Sequence, residues 1–201
     1  MACSRLALSV LQILCIDIGT DLLPALALGG EAPSKGVLER PPERRHLVDT
    51  SLFTRVFGVL GPTEALVEMT AFLVALMVAG WRPGGEFPHR PCITGRIGGA
   101  AFTAVVLGQI GTAFACRSTS RPPWAMGWTT NRLLLWAVLA ELGALVFFLL
   151  VTPVADLLGH TVPPTEGFVV AVLAIPAVLL ADYTHKRVRQ RRKAVGARPV
   201  A

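Results

Sequence analysis

Five apolar runs, each near the length that crosses a bilayer core, constrain this chain more than any other feature. They cover about residues 6–29, 56–80, 97–116, 133–152 and 167–183, and a hydrocarbon core takes about 20 helical residues to cross. In lipid, every backbone polar group must be bonded within its own segment, so runs of this kind become helices. The expected fold is therefore an all-α membrane protein, a bundle of five transmembrane helices. The composition agrees, with 53% hydrophobic residues, 16% charged residues and a mean hydropathy of +0.58. The organisation read from these runs is a membrane domain over residues 1–185 and a basic tail over 186–201. The opening "MACSRLALSVLQILC" has an Arg before an apolar run but no small-residue cleavage site, so it reads as the start of a real span.

The connections are rich in Pro, Gly and charge, as in "WRPGGEFPHRPCITGR" and "RSTSRPPWAMGWTTN". Counting Lys and Arg in alternate connections places fifteen on one side and four on the other. The richer side, including the tail, is expected in the cytoplasm. This predicts a multi-pass protein of the cell membrane that begins outside and ends inside, a plan that points to something missing upstream. The net charge of +6 belongs to helix flanks rather than to nucleic-acid binding. Cys3, Cys15, Cys92 and Cys116 are scattered, and the four His form no cluster, so no zinc site or disulfide framework is indicated.

The first run is unusual in carrying "CIDIGTDLLPALALGG". Asp17 and Asp21 lie four apart with Thr20 between them, so all three are expected on one side of a helix. They sit roughly 11 to 15 residues into the span, near mid-bilayer at 1.5 Å per residue. An ionised Asp there costs about 2.5–3.5 kcal/mol on insertion scales. Two together repel, so one stays protonated unless a cation lies between them. Pro24 lacks an N–H and leaves the Thr20 carbonyl without its helical partner, and Gly19 permits unwinding at the same depth. Carboxylates, a hydroxyl and a freed carbonyl form a hard-oxygen set suited to Na⁺, K⁺, Ca²⁺ or protons. The alternative is a protonated pair hydrogen-bonded to neighbouring helices.

Other polar residues lie within the spans. Glu64 and Glu68 stand at i, i+4 beyond Pro62 and read as facing a partner helix or a water-filled vestibule. Glu141 has about eight apolar residues on each side and reads as functional. Gln109 serves an ion site or bonds between helices. Asp182 is expected to pair with Lys186 one turn later, and the tail "HKRVRQRRKAVGAR" to anchor topology at the lipid surface.

"LCIDIGTDLLPALALG" resembles the sixth transmembrane helix of type II cation-transporting P-type ATPases, the family of the calcium and sodium/potassium pumps. "ERPPERR" resembles the Arg-Pro-Pro element of the next cytoplasmic loop. "LGQIGTAFACRSTSRPPWAMGWTTNRLLLWAVLAELG" is similar to the eighth and ninth helices, and "LADYTHKRVRQRR" to the end of the tenth. The resemblance implies a bundle equivalent to helices six to ten of such a pump. It also implies that Asp17, Thr20 and Asp21 are cation ligands, Asp17 and Asp21 holding the metal ion directly. Gln109 and Glu141 match positions that contribute to ion sites in some members, whereas Thr112 stands where a carboxylate is often found. Asp17 falls where sodium/potassium pumps have Asp and calcium pumps have Asn, so the ion stays open.

The sequence holds no D-K-T-G phosphorylation motif, T-G-E loop or Gly-rich phosphate loop. On this reading the chain does not hydrolyse ATP alone, and ATP and Mg²⁺ enter only through missing domains. The expected partners are membrane lipid and the N-terminal part of a P-type ATPase. The contrasting expectation is a freestanding small membrane protein derived from the pump fold: a passive ion pathway, a regulatory subunit or a fragment without function.

Overall fold

In a computed structural model of the chain, residues 8–31, 49–87 and 90–196 are described. The "ERPPERR" element and the last five residues of the tail lie outside the described residues. The described residues form helices and connections without a strand, and five helices are long and apolar enough to cross a membrane. They are α1 (Val10–Gly29), α2 (Thr50–Val78), α3 (Pro91–Cys116), α4 (Arg132–Leu150) and α6 (Thr165–Arg192), with a short α5 (Thr152–Leu158) between the last two.

Local chemistry sets where these helices start. α1 opens on a capping box: the Gln12 backbone N–H donates to Ser9 Oγ, and the Ser9 N–H donates to Gln12 Oε1 at 2.6 Å. α4 opens on Asn131, whose side chain accepts from the Leu134 N–H. α3 opens with Pro91 in its first turn, where a missing N–H costs nothing. α5 closes at Gly159, whose φ of +72° is left-handed.

Two helices widen into a π turn, α1 over Asp17–Asp21 and α2 over Val56–Leu60. Each precedes a proline, Pro24 and Pro62, and a proline ring collides with the carbonyl four residues back. An i→i+5 turn absorbs that collision without ending the helix. The departure expected around Gly19 and Pro24 thus takes the form of a widened turn. Helical dihedrals continue on both sides, at Ile16 (−65°, −55°) and Leu22 (−66°, −40°).

α3 is the centre of the bundle. Its hydrophobic window is 78% buried, against 22–33% for the other four spans, so α3 is surrounded by protein while the others keep a lipid-facing side. It packs on α2 and α6, and α1 packs mainly on α4. Small residues allow this closeness. A Cβ at Gly99 would collide with the Thr161 carbonyl oxygen, and one at Gly111 would meet the Ile175 Cα at 3.3 Å.

Polar contacts hold the two ends of the bundle. At one end, the Thr161 N–H donates to the Gly95 carbonyl, and Gln12 meets His160. At the other, Arg117 donates to both carboxylate oxygens of Glu31 (2.7 and 3.1 Å). Asn131 donates to Glu31 and to the Ala27 carbonyl there. Arg117 is the main influence holding the Glu31 carboxyl below its ordinary range, with burial acting in opposition and Asn131 assisting.

Arg55 departs from its expected place among the loop cations. α2 begins at Thr50, so Arg55 lies inside the helix and is 3% exposed. Its charge is tolerated because Nε donates to Asp182 Oδ1 at 2.8 Å and the guanidinium donates to the Ala115 carbonyl, also at 2.8 Å. Lys186 pairs with the other oxygen of Asp182, as its spacing of four predicts, and donates to the carbonyls of Ala115 and Arg121.

Candidate cation site

Gln12, Ile16, Thr20, Pro24 and Ala27 form the buried stripe of α1. Spacings of three and four residues put them in one line, and that line faces α3 and α4. Thr20 is fully buried. Its hydroxyl donates to the Ile16 carbonyl at 2.7 Å and stands 3.1 Å from Gln109 Oε1 of α3. Gly19 admits the Phe148 ring of α4, which would lie 3.5 Å from a Cβ at that position. The widened turn is therefore gripped from two sides.

Asp17 and Asp21 do not share the buried face with Thr20. Both are exposed, stacked one above the other along the adjoining open side of α1. The expectation that all three residues project together gives way here: Thr20 follows the apolar line that packs, and the carboxylates flank that line on the exposed side. Asp21 nevertheless remains central. It acts electrostatically on Glu64 of α2 and Glu141 of α4, and Asp17 acts on it.

Glu141 is 0% exposed, and neither carboxylate oxygen has a hydrogen-bond partner among the described residues. A buried carboxyl in that condition is costly, and the cost is a reason to look for a ligand or proton there. Glu64 accepts a hydrogen bond from the Thr112 hydroxyl of α3, so it faces a partner helix. Glu68 leans over Gly108, where a Cβ would be 3.7 Å from its Oε1 and 3.6 Å from Glu64 Cγ. The sequence offered the i, i+4 glutamates as a signal, but the small residue that admits them is 40 or more positions away.

Thr20 and Gln109 are thus brought together, Glu141 is buried nearby in electrostatic reach of Asp21, and Asp17 stands apart on the open side. Among the described residues, no three His, Cys, Asp or Glu groups converge closely enough to hold a metal ion. The arrangement is a pair of oxygen donors from α1 and α3, with Glu141 of α4 within electrostatic range of Asp21, and it is open along the Asp17–Asp21 side.

The family described as cation transporting ATPase, C-terminus, matches residues 5–188. This chain belongs to that family. The cation-transporting ATPase C-terminal family accounts for nearly all of the five-helix body, stopping four residues short of the end of α6. Among its relatives, the calcium-transporting ATPase of Bacillus subtilis (strain 168) is 31% identical over 183 residues, covering 88% of this chain and 19% of that protein. The sodium/potassium-transporting ATPase subunit alpha-3 of Homo sapiens is 36% identical over 87 residues, covering 42% of this chain and 9% of that protein. The same values hold for the alpha-3 subunit of Rattus norvegicus. The chain spans less than a fifth of the length of these curated relatives. Membership makes it a membrane portion of a cation-transporting P-type ATPase, and it agrees with the resemblance drawn from the first span.

Proposed function

We propose that this chain supplies part of the intramembrane cation site of an ATP-driven pump and works with the portion that carries phosphorylation and nucleotide binding. The observation that carries this reading is the Thr20–Gln109 contact beside Asp21, on a widened turn at mid-span. Oxygen donors from separate helices meet there, and a π turn is a frequent mark of functional sites. The exposed Asp17–Asp21 side supports the same reading. A pair of carboxylates at mid-bilayer has no place against lipid, and further helices of the pump would cover it and close the site. Asp17, Thr20, Asp21, Gln109 and Glu141 are the proposed ligands for a transported Na⁺, K⁺, Ca²⁺ or proton. ATP and Mg²⁺ are engaged elsewhere in the assembly. The proposed orientation has the N-terminus outside and the tail in the cytoplasm, since moving Arg55 from loop to helix leaves the Lys/Arg asymmetry intact.

The test is co-expression of this chain with the catalytic portion of the pump, followed by reconstitution and measurement of cation-stimulated ATP hydrolysis. Losing a charged ligand removes about 1.5–3 kcal/mol, so Asp21→Asn is expected to weaken apparent cation affinity by about 10- to 150-fold. Unchanged affinity in that variant removes Asp21 from the site. Cation flux through the chain alone, without ATP, would instead favour a freestanding passive pathway.

A further inference from the structure

His160 sits between α5 and α6, directly after the left-handed Gly159, and is 1% exposed. Its ring stacks on Phe102 of α3 at a centroid distance of 4.8 Å. Its Nδ1 lies 3.0 Å from the Gln12 side-chain nitrogen in the first turn of α1. The next residue, Thr161, is tied to α3 through the Gly95 carbonyl. The imidazole therefore joins the start of α1 to an anchored segment 148 residues away.

The hydrogen bonds determine the protonation state of this ring. The Ser9 backbone N–H can only donate, and it donates to Gln12 Oε1. That fixes the orientation of the Gln12 amide, so its NH₂ group faces His160 and donates to Nδ1. Nδ1 must then be an acceptor, and the ring is neutral with its proton on Nε2. Among the described residues Nε2 is buried and makes no well-formed hydrogen bond, with the Phe148 backbone of α4 lying against the ring. Among the described residues, no charged group is buried against the ring. α1 offers Gln12, α3 offers Phe102, and α4 offers the Phe148 backbone. The flanking charged residues Arg96, Asp156 and Glu166 are all exposed. Burial holds the ring below the ordinary imidazole value of 6.5, with the Phe148 backbone acting in opposition.

We propose that His160 is a proton-operated latch on α1: a proton taken up at Nδ1 turns the acceptor into a donor facing the Gln12 amide and releases the first turn of the helix. Rotating the amide does not relieve the conflict. It would set the NH₂ group against the Ser9 N–H and destroy the capping box, which moves the loss from the latch to the helix start. Gln12, Ile16 and Thr20 share one stripe at four-residue spacing, so motion at Gln12 is directed along the face that holds the Thr20–Gln109 contact. Any effect on transport rests on the reading given under Proposed function. The latch itself does not.

The experiment therefore reads the latch and not transport. The full chain is placed in lipid nanodiscs with ¹⁵N-labelled histidine. A nitroxide is attached at Cys15, one turn beyond Gln12, with Cys3, Cys92 and Cys116 replaced by Ser. Nitrogen shifts and nitroxide mobility are followed from about pH 8 to about pH 5, across the ordinary imidazole range. The expected result is an Nε2–H tautomer at high pH, a His160 midpoint below the ordinary imidazole value of 6.5, and nitroxide mobility that rises with the same midpoint. In His160→Gln the mobility is expected to stay flat. A proton on Nδ1 at high pH, midpoints that do not coincide, or the same rise in His160→Gln would each overturn the latch. Should His160→Gln not fold, coincidence of the two midpoints in the unsubstituted chain decides alone.

Discussion

Asp182→Asn is the perturbation whose cost the structure defines most sharply. Asp182 is 0% exposed and is the shared anion of two cations, Arg55 and Lys186, whose side chains are only 4% and 2% exposed. The cluster carries one negative and two positive charges, and both cations also donate to the Ala115 carbonyl at the end of α3. Removing the carboxylate leaves two buried cations with no counter-charge, and breaking a buried pair in this way costs about 3–5 kcal/mol. Removing Arg55 instead leaves Asp182 balanced by Lys186. Arg55→Gln then forfeits the charge-assisted bond to Asp182, about 1.5–3 kcal/mol, while the Ala115 carbonyl keeps Lys186 as a donor. The order is therefore Asp182→Asn worse than Arg55→Gln, although Arg55 has the larger side chain. A thermal unfolding assay in lipid–detergent micelles, reading exposure of the native cysteines to a fluorogenic maleimide, measures both. Equal stability of the two variants, or the reverse order, would refute the argument that charge balance rather than hydrogen-bond number governs this cluster.

Four smaller predictions concern other contacts. Gly99→Ala is expected to lower stability by about 1–3 kcal/mol in the same assay, since the new Cβ runs into the Thr161 carbonyl oxygen. Gly143→Ala has nothing within 4 Å of its Cβ and is expected to be neutral or stabilising by up to about 1 kcal/mol. The Glu31 carboxyl titrates below its ordinary value of 4.5, so its contribution is present above that pH and is lost as pH falls through the lower folded value. Glu31→Gln should remove this acid dependence while leaving the Asn131 cap of α4 intact, as a stability–pH series would record. Asn131→Ala removes both the cap on Leu134 and the bonds to Ala27 and Glu31. It is expected to cost about 1–2 kcal/mol from the cap alone.

The five spans were legible because lipid imposes a single requirement, an apolar helix of fixed length, and the sequence displays that requirement locally. The ends were less legible. Arg55 looks like a loop cation, and only Asp182, 127 residues away, permits it inside α2. The mid-span oxygen donors stood out for a similarly local reason, because Asp, Thr and Pro are expensive where they lie. Their grouping did not, since periodicity tells which residues share a side of α1 but not which side a neighbour covers. Thr20 meets Gln109, while Asp17 and Asp21 remain on the open side.

Hydropathy and the position of Pro24 alone determined that α1 crosses the bilayer with a disturbed turn at mid-depth, because solvent and backbone sterics act on the chain residue by residue. The tertiary structure decided the form of that disturbance and what it touches. It chose a widened turn over an unwound one, left Glu141 buried without a hydrogen-bond partner among the described residues, and set His160 against Gln12. These outcomes depend on distances between segments far apart in the chain, and packing around the small residues of α3 sets those distances.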